Sequence, residues 1–273
     1  MSTIFDKFRL DNQAVIVTGA AGLLGRQFSR SLAEAGAGVI CADILIDGAN
    51  QVAKEISKSG LKATACQVDV TDKTSVENMV QFAQDQFGSL STLVNSAALD
   101  PKFDPQQAGR HSNSFEDYPV EMFRQALDVN LTGMFLCSQA AAKAMLKNKK
   151  GSIINICSTY GLVGPDQRLY DREGQPKQYK PVYYSVSKAG VLGLTRYLAT
   201  YYMGTQIRAN ALTPGGVYNQ HDEIFTERYS ARTVLGRMAD LDEMNGACLF
   251  LASDASSYMT GANLVVDGGW SAW

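Results

Sequence analysis

Histidine is nearly absent from this chain, and cysteine is sparse and unpaired. The two histidines, His111 and His221, stand far apart with no cysteine or histidine neighbour at ligand spacing, so both read as surface-loop residues and no metal site is expected. The five cysteines, Cys41, Cys66, Cys137, Cys157 and Cys248, are odd in number and include no CxxC pair. A disulfide framework is therefore excluded, and they read as reduced core residues. An excess of one charge is missing as well: 25 Lys and Arg face 27 Asp and Glu, a net of -2, which argues against a nucleic-acid footprint or a polybasic membrane patch. No apolar run approaches the ~18 residues of a membrane span. The first residues, Met1 to Asp11, carry Asp6, Lys7, Arg9 and Asp11, which rules out a signal-peptide core there. The expected partner is a small molecule rather than nucleic acid or membrane, and the expected compartment is the cytoplasm.

What remains is a chain of 273 residues, 45% apolar and 19% charged, able to build a large core. That length alone fits either two small domains or one large α/β domain. Short apolar runs alternate with helical patterns along almost the whole chain, as in βαβ units around a parallel sheet. The strands read as Ala14 to Val17, Val39 to Ala42, Ala63 to Val68, Thr92 to Asn95, Ser152 to Cys157, Ile207 to Leu212 and Asn263 to Val266. Leu24, Phe28 and Leu32 mark one helical face, and Val76, Val80, Ala83 and Phe87 another. No repeat, low-complexity stretch or Pro/Ser-rich linker interrupts the pattern, so residues 1–273 are expected to form a single domain. Its fold class is α/β, a doubly wound parallel sheet of about seven strands with helices on both faces. Two polar stretches break the alternation, Asp100 to Tyr118 and Gly164 to Pro181. Both follow strand ends, where open α/β sheets bind ligands.

Directly after the first strand comes Thr18-Gly19-Ala20-Ala21-Gly22-Leu23-Leu24-Gly25. Glycines here allow a tight turn, close approach to a pyrophosphate and packing of the helix onto the strand, while the helix N-terminus offers free N–H groups to the phosphates. Asp43 ends the second strand at the spacing where an acid accepts hydrogen bonds from the adenosine ribose. Its carboxylate would repel a 2'-phosphate and the next residue is Ile44, not arginine, so the reading favours NAD over NADP. Further on, Tyr184 and Lys188 stand at i and i+4 on one helical face. A fixed cation beside a phenol favours its ionised form and makes it a usable acid/base.

With these residues in place the chain resembles the short-chain dehydrogenase/reductase family over roughly residues 12–269. The matching residues are Thr18-Gly19 to Gly25, Asp43, Asp69-Val70, Asn95-Ser96-Ala97-Ala98, Asn130, Ser158, Tyr184 with Lys188, Pro214-Gly215 and Asp267-Gly268-Gly269. The resemblance implies a catalytic tetrad of Asn130, Ser158, Tyr184 and Lys188 and an NAD(P)-dependent oxidoreductase acting on CH–OH groups. In it Tyr184 exchanges the proton, Ser158 hydrogen-bonds the substrate oxygen, Lys188 lowers the phenol pKa and holds the nicotinamide ribose, and Asn130 seats a relay water. It also implies a cofactor shell of Gly19, Gly22, Leu23, Leu24 and Gly25 near the phosphates, Asp43 on the ribose, Asp69 and Val70 around the adenine, Asn95 beside the cofactor, Tyr184 and Lys188 at the nicotinamide end, and Pro214 with Val217 along the carboxamide. A homotetramer or homodimer is implied, with the helices around 119–147 and 183–203 and the last strand at the contacts; Trp270 and Trp273, costly to expose, are compatible with burial at such a contact.

Three departures set this chain apart. The middle glycine is Gly22, as in the family's epimerase and dehydratase branch; Asn219 stands where many members carry threonine; and Ser158 precedes Tyr184 by 26 residues, about twice the usual spacing, because 164–181 is inserted. Since Ser158 and Tyr184 must meet on one substrate oxygen, the insert is expected to return beside the site as part of its rim, with Arg168 as a substrate contact; a solvated surface hairpin is the alternative. Tyr218, Asn219, Gln220 and His221 add polar groups on a second wall. The substrate is therefore expected to be a polar, sugar-like secondary alcohol or ketone, contacted by Arg168, Tyr218 and Asn219. Similarity to oxidoreductases of flagellin glycan biosynthesis and to gluconate 5-dehydrogenases points the same way without fixing a substrate. Two other functions compete. An NAD-retaining sugar epimerase or dehydratase is suggested by the glycine spacing but disfavoured because only four residues follow Gly269, and a catalytically silent NAD-binding regulator is disfavoured by the intact tetrad.

Overall fold

The computed structural model describes residues 3–100 and 113–273. Seven parallel strands lie in the order β3-β2-β1-β4-β5-β6-β7: β1 Ala14–Thr18, β2 Gly38–Asp43, β3 Ala63–Gln67, β4 Leu90–Asn95, β5 Lys150–Ile156, β6 Gln206–Pro214 and β7 Asn263–Val266. Each expected strand is present, with ends shifted by up to two residues; Val68 and Cys157 fall just beyond theirs. The strands are apolar without polar alternation because both faces are covered. In β1, Val15 and Val17 enter one core and Ile16 the other; Cys41 and Ile40, Val94 and Leu93, and Ile154 and Ile153 divide in the same way. One face is covered by α1 Leu23–Glu34, α2 Ile46–Lys58 and α8 Asn245–Ala252, the other by α3 Lys73–Phe87, α5 Gly133–Met145 and α6 Val182–Tyr201. Two shorter helices complete the set, α4 Val120–Leu127 and α7 Glu223–Ser230.

The winding of the sheet reverses between β1 and β4, with β2 and β3 laid to one side and β5 to β7 to the other, so the carboxyl ends of these two parallel strands open a crevice at the centre of the sheet. The helical segment after α4 contains one π turn, Asp128–Thr132, before α5 begins. Such insertions widen a helix locally and favour functional positions. Here the π turn holds Asn130, fully buried.

Two expectations need correction. Cys66 is only partly buried, because β3 is an edge strand; the other four thiols are buried. Trp270 is buried within its own chain, stacked on Tyr229 with ring centres 4.2 Å apart, and so needs no subunit contact to hide it. Trp273 stays exposed and donates its indole N–H to the Arg232 carbonyl. His111 lies outside the described residues, as does most of the first polar stretch.

The C-terminal segment that carries Trp270 is anchored by a buried cation. Arg208 on β6 donates to the carbonyls of Leu251, Ser253 and Met259 and to the Ser256 hydroxyl. Burial lowers its pKa. Arg208→Met removes these charge-assisted hydrogen bonds, the three carbonyls keeping second donors in Ser152, Ser256 and Asn210, and is expected to cost about 2 kcal/mol of stability, read as a lower midpoint in chemical denaturation.

Candidate active site

The glycine turn is built by backbone contact. Gly19 sits at φ +68°, and a Cβ there would lie 2.7 Å from the Ala97 Cα and 2.8 Å from its nitrogen. The Thr18 hydroxyl accepts from the amides of Ser96 and Ala97, fastening the end of β1 to the segment after β4. Gly25 faces the Gly19 carbonyl so closely that any side chain would collide with it. Gly22 caps α1 in extended conformation and supplies no side chain to its first amides. Those amides, Leu23 to Gly25, are therefore the orphan donors of a helix N-terminus. Asp43, at the end of β2, accepts from the amides of Ala21 (2.9 Å) and Leu45 (3.0 Å) and so pins the turn to the second strand.

A cavity of about 480 Å³ runs from this turn across the carboxyl edge of the sheet. At the far end stand Ser158, Tyr184 and Lys188. Ser158 follows β5 and caps a short helical turn, Thr159–Gly161. That turn packs directly on α6: a Cβ on Gly161 would lie 2.7 Å from the Lys188 carbonyl. This contact brings Ser158 to Tyr184 despite the long insertion. The Cys157 thiol strengthens it by donating to the same carbonyl at 3.2 Å.

Charge at this end differs from the simple tyrosine-lysine picture. Burial pushes the Tyr184 phenol well above its ordinary value and Asp100 pushes it further, while the hydrogen bond with Ser158 draws it down. Lys188 is buried, 5.9 Å from the ring centre, and donates to the Ile156 carbonyl at 2.8 Å. Burial lowers its pKa, and Cys157 and Asp100 oppose that. Desolvation is the largest influence on the phenol, and burial disfavours the charged form of Lys188 as well. Tyr184 stands protonated at neutral pH.

Asn130 lies behind the cavity wall. Its side chain accepts from the Leu99 amide at 2.6 Å and donates to the Leu99 carbonyl and the Ser187 hydroxyl, which itself donates to the Tyr184 carbonyl. Asn130 thus ties the segment after β4 to α6; it is a positioning residue here. Asn95 is buried and straps β4 to Ser138 and Asn155. Asp69 accepts from the amide and hydroxyl of Thr71, which hold its carboxyl below the usual range. Val70 packs against Gly133. Asp43, Asp69, Val70 and Asn95 line the sheet edge beside the cavity, outside its wall; Pro214, Val217 and Asn219 are in the wall.

Two expected substrate contacts lie elsewhere. Arg168 points outward and forms a two-pronged pair with Asp166 at 2.8 and 2.7 Å. Asp166 caps the turn Gln167–Tyr170, so the arginine serves the insert and not the cavity. Tyr218 is exposed and rests against His221. His221, expected on the surface, lines the cavity instead, its ring stacked on Phe225. His221, just before α7, and Phe225 and Tyr229 on it stand at i, i+4 and i+8 and stack in sequence, a spacing legible in the sequence and overlooked there. Tyr160, Tyr170, Lys180 and Asp100 complete this end. Burial raises the Tyr160 phenol to about 12.

The insert supplies Tyr170 and Lys180 to the wall and is fastened to α7 by three arginines. Arg172 forms a two-pronged pair with Asp222, Arg228 donates to the carbonyls of Arg168 and Asp171, and Arg232 reaches Asp166 at 2.8 Å.

Comparison with known proteins accords with this geometry. Residues 19–271 match the family described as enoyl-(acyl carrier protein) reductase. The cis-4-hydroxycyclohexanecarboxylate dehydrogenase of Sinomonas cyclohexanicum is 36% identical over 267 residues, covering 95% of this chain and 97% of its own. A short-chain type dehydrogenase/reductase from Mycobacterium marinum superposes with a TM-score of 0.85 at 32% identity, over 98% of this chain and 99% of its own. A gluconate 5-dehydrogenase from Burkholderia cenocepacia, solved with NADP and tartrate, gives a TM-score of 0.86 at 28% identity, over 99% and 100% of the two chains. The chain belongs to the short-chain dehydrogenase/reductase family. It is an NAD(P)-dependent oxidoreductase interconverting alcohol and ketone. Among the described residues no helix is long and apolar enough to cross a membrane.

The insert's anchorage has a defined pH dependence. The Arg168 hydrogen bond holds the Asp166 carboxyl at about 2. Its contribution is therefore complete above the ordinary carboxyl value and is lost as pH falls through about 2. Asp166→Asn removes it at every pH. Limited proteolysis at neutral pH is expected to cut the variant within 164–181 several-fold faster than the parent.

Proposed function

We propose that this enzyme interconverts a polar, sugar-like secondary alcohol and its ketone, using NAD in preference to NADP. The observation that carries the reading is one cavity with uncapped helix amides at one end and Ser158, Tyr184 and Lys188 at the other. The glycine cradle fits a dinucleotide, since no Cβ can be added at Gly19 or Gly25 without striking backbone. In this reading the amides of Leu23 to Gly25 with Gly19 and Gly22 hold the pyrophosphate, Asp43 the ribose hydroxyls, and Asp69 with Val70 the adenine. Asn95 stands beside the dinucleotide, and Pro214, Val217 and Lys188 border its nicotinamide end. The bound dinucleotide supplies a hydride acceptor or donor.

The chain's own groups handle the proton and the oxygen. Ser158 donates to the substrate oxygen as negative charge develops on it. Tyr184 gives that oxygen a proton in ketone reduction and removes one in alcohol oxidation. The raised phenol pKa suits the donor role at neutral pH. Asn130 keeps α6 and the segment after β4 in register. The polar side chains of Asp100, Lys180, Asn219 and His221 in an otherwise largely apolar wall, and the hydroxylated compounds named for its relatives, support a polar substrate. Exposed Phe135 on α5 and Tyr197 and Tyr201 on α6 support assembly into a homo-oligomer.

Tyr184→Phe is expected to lower kcat at least about a hundredfold while dinucleotide binding persists, measured by turnover and by cofactor fluorescence. Because oxidation requires the deprotonated phenol, the parent's oxidation rate should climb from neutral to alkaline pH as its reduction rate falls. A flat oxidation profile would remove the role given to Tyr184. Asp43→Ser should raise the ratio of NADP to NAD kcat/KM at least about tenfold. It should also cost about 2 kcal/mol of stability, since the Ala21 and Leu45 amides lose their acceptor.

A further inference from the structure

Lys180 closes the inserted segment immediately before α6, and its ammonium enters the cavity. Nζ stands 4.0 Å above the centre of the Tyr184 ring and donates to Asp100 Oδ1 at 2.5 Å. The Lys180 side chain is 14% exposed and that of Asp100 43%. Two unrelated segments, the insert and the stretch following β4, thus bring an ion pair to the face of the proton-exchanging phenol. Both partners are held. The Lys180 amide donates to the Gln167 side chain, and Asn130 clamps Leu99, the residue before Asp100.

We propose that Lys180 and Asp100 form the specificity pair of this enzyme, reading a second hydroxyl on the carbon next to the one that reacts, so that the substrate is a vicinal diol. This rests on the reading of the site as an alcohol oxidoreductase. An ammonium has three donors and a carboxylate several acceptor positions, and the pair uses one of each on itself. What remains is two donors beside further acceptor positions, so the pair offers the cavity a donor and an acceptor side by side. A hydroxyl both accepts and donates, and so satisfies both at once. A substrate carboxylate can only accept and would face Asp100 with like charge; an apolar group would desolvate both charges and return nothing. The place of the pair, over the ring whose oxygen meets the reacting hydroxyl, puts the adjacent carbon's oxygen within reach of Nζ.

The test compares cis-1,2-cyclohexanediol with cyclohexanol, which differ by one hydroxyl, in the parent and in Lys180→Met, Lys180→Arg and Asp100→Asn. Turnover is followed with NAD and with NADP, and binding by calorimetry on the protein alone and saturated with NADH. The parent is expected to favour the diol at least about tenfold in kcat/KM and in binding. The ratio should fall toward one in Lys180→Met and Asp100→Asn and recover in part in Lys180→Arg. Since the ratio is taken within each variant, general slowing does not disturb it. A parent ratio near one, or a ratio unchanged in Lys180→Met, overturns the pair's role and leaves alcohol oxidation standing. Equal loss on both alcohols would assign Lys180 to Tyr184 itself, which also overturns it. So would a preference for cis-4-hydroxycyclohexanecarboxylate that Lys180→Met abolishes without affecting the diol, because Lys180 would then be an anion site. If neither alcohol turns over yet Lys180→Met still abolishes preferential diol binding, the pair stands and the reading of the reaction falls.

Discussion

The close approach of two backbones at the carboxyl ends of β1 and β4 is the constraint on which the rest of this structure depends. Gly19 turns the chain at positive φ against Ala97, with no space for a Cβ, and the Thr18 hydroxyl ties the two segments together. Because β1 and β4 are neighbours whose connections leave in opposite directions, this contact sits where the sheet opens. It aims the α1 amides into the crevice and sets the start of the segment after β4 that carries Asp100. Asp43 repeats the device on the other side of β1, holding Ala21 with one oxygen and Leu45 with the other. A carboxylate read as a ligand contact is thus also a structural clamp.

The second organising feature is the rim. The inserted segment has little apolar surface with which to pack: Leu169 is its one fully buried aliphatic side chain. It is held instead by charge-assisted hydrogen bonds from Arg172, Arg228 and Arg232, several to backbone carbonyls. Beneath it an aromatic layer of Tyr160, Tyr170, Tyr229 and Trp270 forms a floor. The insert and α7 therefore share one set of contacts. A polar rim over an aromatic floor suits a ligand with an apolar ring or chain and hydroxylated edges.

Desolvation governs the chemistry at the reacting end. It raises Tyr184 and lowers Lys188, disfavouring the charged form of each. Both side chains border the same end of the cavity, so a ligand bound there adds to what sets their proton balance. Asp100 acts on both in the same sense, raising each pKa. Its pairing with Lys180 places opposite charges at the one side of Tyr184 where the cavity remains polar.

Much of this was legible in the linear chain. Apolar runs without alternation required a sheet covered on both faces, and all seven expected strands lie in it. Gly19 to Gly25, Asp43, Ser158, Tyr184 and Lys188 were readable because each depends on local geometry: a turn, a strand end or one helical face. Arg168 was misjudged because a charge's partner is decided by what folds beside it, and Asp166, two residues away, took both its prongs. Asn130 could be located, but its use as a backbone clamp depends on a π turn that hydrophobic periodicity does not reveal. The residues by themselves determined the fold, the reaction class and the placing of Tyr184 and Lys188 on one helical face. Only the tertiary structure decided which groups wall the cavity, since Lys180 and Asp100 lie 80 residues apart and meet only because the insert and the β4 loop converge over one ring.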